Sequence, residues 1–180
     1  MITIISGSNR SNNKTLHFAK FAFELLQKTT DEKVLFLDLS TLDGSVVSQT
    51  MYKDSNQPEI IQHIQNTYFI PATKFWFFIP EYNGSYPGIV KLILDSMSVR
   101  EYKNSFNDKK ACITGIASGR AGNLRGMDHL ADVLNHLGIN VHSNKNPISS
   151  IYKLLDAESN KVNDETAKTL QIQISQLLKF

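Results

Sequence analysis

Apolar runs of strand length alternating with helical-period segments predict a doubly wound α/β sandwich built on a five-stranded parallel sheet. Three observations carry this reading. The apolar runs lack polar alternation, as strands covered on both faces do; the segments between them repeat at helical spacing; and the loops after the first, third and fourth runs are polar and carry glycine. Right-handed crossovers between parallel strands then favour the order 2-1-3-4-5.

Met1 to Ile5 is a short β-branched run ending at Ser6-Gly7, the first strand. From Thr15 onward Leu16, Phe18, Ala19, Ala22, Phe23, Leu25 and Leu26 form a wide apolar face, with His17 on the polar stripe and expected at the surface. Lys33 to Leu39 reads as the second strand. Pro58 to Asn66 reads as the second helix, with Ile60, Ile61 and Ile64 turned inward, after a polar stretch around Gly44 and Asp54 that has no strong period. Phe75 to Ile79 is apolar throughout and reads as a central strand. Ser85 is placed to cap the following helix, Pro87 suits its first turn, and Ile89, Leu92, Ile93 and Met97 repeat behind it. Ala111 to Ala117 is the fourth strand. Leu124, Met127, Leu130, Leu134 and Leu137 mark a helix that Gly138 ends, and Ile139 to Val141 supplies the fifth strand. After Pro147 the chain reads as irregular until Asn163-Asp164-Glu165 opens a last amphipathic helix.

The strand and helix order is that of a flavodoxin-like three-layer sandwich, in which ligands bind at the carboxyl ends of the strands. Ser6 to Thr15, Pro80 to Tyr86 and Ser118 to Asn123 converge there. In the first of these loops Ser8, Asn13 and Thr15 offer hydroxyl and amide donors, Arg10 a guanidinium, and the helix start unpaired N–H groups, all suited to a phosphate. The alternative is a capped turn in which Asn12 or Asn13 satisfies the helix start. In the second, Tyr82 can pack on a flat ring while Asn83 and the amides around Gly84 bond to ring carbonyls and nitrogens. Phosphate and planar ring together suggest a nucleotide cofactor.

A length of 180 residues suits one core, so residues 1–180 are expected to form a single domain. A net charge of +2 is too small to argue for nucleic acid or anionic membrane, although a pI near 8.6 leaves room for a local basic patch, and small molecules are the default partners. The lone Cys112 lies in an apolar run and reads as a buried, unreactive thiol. The start of the chain shows no signal-like segment and no run reaches bilayer length, so a cytoplasmic protein is expected. Neither a Walker A sequence nor the three-glycine dinucleotide fingerprint is present, the five histidines are scattered, and no serine-elbow motif occurs. Glu81 reads as a loop acceptor rather than a general acid, since no second carboxylate accompanies it. A cofactor must therefore supply most of the chemistry.

Gly7-Ser8-x-Arg10 with Asn13 and Thr15, Pro80-Glu81-Tyr82-Asn83-Gly84-Ser85 followed by Pro87-Gly88-x-x-Lys91-x-x-x-Asp95, and Ser118-Gly119-x-x-Gly122 together resemble the NADPH-dependent FMN reductase family. The resemblance covers most of the chain. It implies FMN held through its phosphate by Ser8, Arg10, Asn13 and Thr15, through its ring by Pro80, Glu81, Tyr82, Asn83 and Gly84, and on the pyrimidine side by Ser118 and Gly119. It also implies NADPH or NADH as hydride donor, a small-molecule electron acceptor such as a flavin or quinone, no metal, and a homodimer or homotetramer. Asn13 stands where the family commonly has serine, and Arg120-Ala121 where small residues are frequent. Arg120 is a candidate for the 2′-phosphate of NADPH or a solvated loop charge. The rival reading is a flavodoxin-type electron carrier or a flavin-binding module without turnover; the slightly basic composition and Arg10 disfavour it.

Overall fold

A computed structural model describes residues 1–42, 50–53, 57–156 and 158–180; Gly44 and Asp54 of the unpatterned stretch lie outside the described residues. The elements follow the expected order. They are β1 (Ile2–Ser6), α1 (Thr15–Gln27), β2 (Val34–Asp38), α2 (Glu59–Ile64), β3 (Lys74–Pro80), α3 (Gly88–Ser96), α4 (Tyr102–Phe106), β4 (Lys110–Ile116), α5 (Leu124–His136), β5 (Asn140–Val141), β6 (Asn146–Ile148) and α6 (Asp164–Lys179). All strand pairs are parallel, in the order β2-β1-β3-β4-β5. This is the flavodoxin-like arrangement.

The unbroken apolar run of β3 has a simple cause. Phe75, Phe77 and Ile79 face a core layer shared with Ile61, Ile93, Met127 and Leu130, while Trp76 and Phe78 face a second layer with Phe18, Ala22, Leu170 and Ile174. A strand covered on both faces has no polar side to display. On the second face a buried polar chain ties the sheet to α6: Trp76 Nε1 donates to Thr114 Oγ1 at 2.8 Å, Thr114 Oγ1 donates to Gln173 Oε1 at 2.6 Å, and Gln173 Nε2 donates to the Ile113 carbonyl at 3.0 Å.

Five expectations are corrected. The fifth sheet position is not one strand but two short segments, β5 beside Lys110–Ala111 and β6 beside Thr114–Ile116. Pro147 is tolerated in β6 because β6 pairs only with β4. Ser85 does not cap α3: the helix starts one residue after Pro87, with no side-chain cap, and Ser85 Oγ instead lies 2.9 Å from His129 Nδ1 on α5. Ile60 is 45% exposed, because α2 is short and turns only Ile61 and Ile64 inward. After α2 the chain widens into a π turn, Gln65–Phe69, that buries Gln65. There Gln65 Nε2 reaches the Met97 and Arg100 carbonyls and Ser105 Oγ, so the wider turn is held by hydrogen bonds that hydrophobic periodicity cannot reveal. Finally, His17 is half-buried rather than on the surface; burial first, then Lys14 and Lys20, lowers its pKa below the usual histidine value.

Candidate functional site

Strand register sets the site. Ser6, the last residue of β1, pairs with Phe78, and β3 and β4 run side by side to Pro80 and Ile116, so two strands project past the end of β1. The step leaves a cleft of about 400 Å³, open to water and lined by Ser8 to Thr15 residues of the first loop, Pro80 to Tyr82 of the second and Ser118–Gly119 of the third. The three loops expected to converge do so, at the carboxyl edge of the sheet.

The first loop is held from within. Asn13 Oδ1 accepts from the Leu16 N–H at 2.9 Å and Asn13 Nδ2 donates to the Arg10 carbonyl at 2.8 Å, so this amide shapes the loop and starts α1. Gly7 is needed here: its N–H donates to the Phe78 carbonyl at 2.8 Å, and a Cβ would stand 3.0 Å from that oxygen. Lys14 and Arg10 line the cleft, and no acidic residue occupies the first turn of α1. Thr15 is buried, lines the cleft, and its hydroxyl has no side-chain partner among the described residues. This end of the cleft is positive and rich in donors.

The second loop closes as a tight hairpin. Tyr82 and Ser85 exchange backbone hydrogen bonds of 2.9 and 3.1 Å, and Asn83 and Gly84 between them have φ of 51° and 78°, the pair of positive values that a type I′ turn requires. Asn83 and Gly84 thus form the turn and do not line the cleft, whereas Pro80, Glu81 and Tyr82 do. Tyr82 Oη lies 3.0 Å from Ser8 Oγ, which also accepts from the Arg10 N–H at 3.3 Å. One hydroxyl therefore joins the two loops.

The third loop is anchored by β6 and the turn that follows. Ala117 N–H donates to the Ile148 carbonyl at 3.0 Å and Ser150 N–H to the Gly119 carbonyl at 3.0 Å. The resulting 3₁₀ turn, Ile151–Lys153, places Ile151 and Tyr152 along the cleft as a fourth wall. Lys14 Nζ donates to Asn160 Oδ1 at 2.5 Å and links the first loop to the same region. Neither Tyr152 nor Ile151 stood out in the sequence, because the segment after Pro147 has no period; Tyr152 next to a polar loop was the only available signal. Arg120 is exposed and lies outside the lining. Among the described residues the lining contains one carboxylate, Glu81, and neither histidine nor cysteine. Cys112 is fully buried, and burial pushes its thiol up to about 12. Among the described residues no cluster of histidine, cysteine and carboxylates is placed to hold a metal.

Fold and cleft define a doubly wound α/β protein with a ligand site at the switch point between β1 and β3, the place where this class binds nucleotides. The sequence profile of the NADPH-dependent FMN reductase family matches residues 1–153, and the chain belongs to that family. It is 29% identical over 171 residues to a 2-hydroxy-1,4-benzoquinone reductase from a Burkholderia species, a match spanning 94% of this chain and 90% of that protein. Among solved structures, the flavoenzyme NAD(P)H:(acceptor) oxidoreductase FerB from Paracoccus denitrificans superposes with a TM-score of 0.79 at 23% identity, covering 99% of this chain and 94% of its own. The apo form of the NADH:FMN oxidoreductase EMOB gives a TM-score of 0.73 at 23% identity over 98% and 87%. At such identities these structures establish the shared fold.

The residues present fit FMN. Two cations, a free hydroxyl and the N-terminus of a 13-residue helix stand at one end of the cleft, as a phosphate needs. The strand-exit residues Pro80 to Tyr82 and Ser118–Gly119 line the same cleft and bring one aromatic ring and exposed backbone to it. The volume lies within the usual range for small-molecule pockets.

Proposed function

We propose that this chain, read as one FMN-binding domain over residues 1–180, reduces a quinone or flavin with electrons from NADPH or NADH. The observation that carries the reading is one cleft lined together by Arg10, Lys14 and Thr15 of the first loop and by Pro80 to Tyr82, Ser118 and Gly119 of the other two. When bound, FMN would supply the two-electron chemistry between the nicotinamide and the acceptor. The chain's own residues bind and orient. Arg10, Lys14 and the Thr15 hydroxyl meet the phosphate, with Ser8 holding Arg10's backbone and the Tyr82 phenol in register. Asn13 acts by shaping that loop. Pro80, Glu81, Tyr82, Ser118 and Gly119 border the ring, and Gly119 leaves open space where a Cβ would stand. Asn83 and Gly84 serve the ring by fixing the turn that aims Tyr82. Among the described residues only Glu81 brings a carboxylate to the lining, which supports positioning rather than acid–base chemistry as the role of the protein.

Quinone as acceptor is supported by the Burkholderia relative's own substrate. Family membership supports a homodimer or homotetramer, with contacts near α3 or α5, and a cytoplasmic site where reduced pyridine nucleotides are available; light scattering of the purified protein tests the assembly. The function itself is tested by anaerobic absorbance titration of the FMN-loaded protein, first with NADPH and then with NADH. Bleaching of the flavin band by either, followed by recovery on adding quinone, is expected. Flavin that stays bound and oxidised would overturn the reading in favour of a module without turnover.

A further inference from the structure

We propose that Tyr152 is the platform on which the planar second substrate, a quinone, stacks at the mouth of the cleft, an assignment that rests on the quinone reductase reading above. The phenol lines the cleft and is nevertheless 71% exposed, so it stands at the mouth and not on the floor. Large aromatic side chains usually bury most of their surface. Among the described residues this ring makes no ring contact and no hydrogen bond, in contrast to Tyr82, whose hydroxyl is engaged by Ser8.

The backbone beneath Tyr152 is fixed. Ile151 is 7% exposed and packs with the layer formed by Ile148, Val162 and Leu170. Its N–H donates to the Ala117 carbonyl at 3.3 Å, and Lys153 N–H donates to the Ser150 carbonyl at 2.9 Å. Ser150 takes a φ of 53°, the left-handed conformation that starts the 3₁₀ turn. An anchored backbone carrying an unengaged ring at a cleft mouth is preorganised for a flat ligand. A cofactor fills the floor first; the group that arrives last meets the mouth. A flat quinone ring stacks on the face of an aromatic side chain, and that stacking depends on the ring and not on the hydroxyl.

The test measures binding as well as turnover. 1,4-Naphthoquinone is titrated calorimetrically into oxidised, FMN-loaded wild type, Tyr152→Ala and Tyr152→Phe, where no electron transfer takes place, and kcat/KM is then measured with NADPH. Tyr152→Ala is expected to weaken naphthoquinone binding and lower its kcat/KM about five- to tenfold. Tyr152→Phe should stay within about twofold. Circular dichroism verifies that both variants fold. Unchanged naphthoquinone binding in Tyr152→Ala overturns the assignment, as does a loss confined to FMN affinity, to the KM for NADPH or to the oligomeric state. Tyr152-dependent binding without turnover would leave the platform standing and remove the reductase reading. Turnover with Tyr152-independent binding would do the reverse.

Discussion

Arg10 is exposed at the rim of the cleft, its guanidinium unpartnered among the described residues while its backbone N–H is tied to Ser8 Oγ. A fixed backbone under a free cation suits it to a phosphate, since little loop ordering is left to be done on binding. Arg10→Ala should weaken FMN binding about tenfold or more, as loss of a charge-assisted hydrogen bond does, with unchanged thermal stability; fluorescence titration of the apoprotein measures it. An unchanged affinity would remove Arg10 from the phosphate site. Residue types suggested this chemistry in the sequence, because cations and hydroxyls after a strand have few structural uses. Asn13 shows the limit: an amide next to a helix start serves a cap or a ligand equally well, and only its bonds to Leu16 and Arg10 show that it shapes the loop.

Helix ends and turns decide how the loops are aimed. Asn163 Oδ1 accepts from the Thr166 N–H at 3.0 Å and caps α6, whereas Ser85 serves the hairpin and His129 instead of α3. Asn163→Ala should therefore cost about 1 kcal/mol in urea denaturation, and Ser85→Ala less than about 0.5 kcal/mol. Equal costs would contradict the cap assignments. The π turn after α2 gives a pH test. Lys109 Nζ donates to the Phe69 and Ile70 carbonyls that end it, and burial lowers the Lys109 pKa to about 8. A base that holds its proton less tightly in the folded chain than in the unfolded one makes stability rise as pH climbs from the folded pKa to the unfolded one. Below about 8 the cost of the buried charge is constant. Between about pH 7.5 and about pH 9.5 the denaturation midpoint of wild type should thus rise relative to that of Lys109→Met. Parallel pH profiles would show that Lys109 does not titrate in that window.

At the scale of the whole molecule, the sheet and its two helical layers are held together by hydrophobic burial on both faces, and the chain from Trp76 through Thr114 to Gln173 ties the sheet to α6 on one of them. Thr114→Val keeps the shape and leaves the buried Trp76 N–H without its acceptor, so stability should fall by about 1–3 kcal/mol with an unchanged m-value. A neutral substitution would mean that the indole finds another partner. The sequence by itself determined the layers, the strand order and the three converging loops, because apolar periodicity, strand length and loop chemistry are local properties. It also carried the family's motifs, which the match over residues 1–153 bears out. Tertiary structure alone decided the rest. The split of the fifth strand, the Tyr82–Ser8 link and the fourth wall with Tyr152 all arise from pairings between residues far apart in the chain. A hydrogen bond or a cleft wall has no period along the sequence; it exists only once the sheet brings distant segments to one edge.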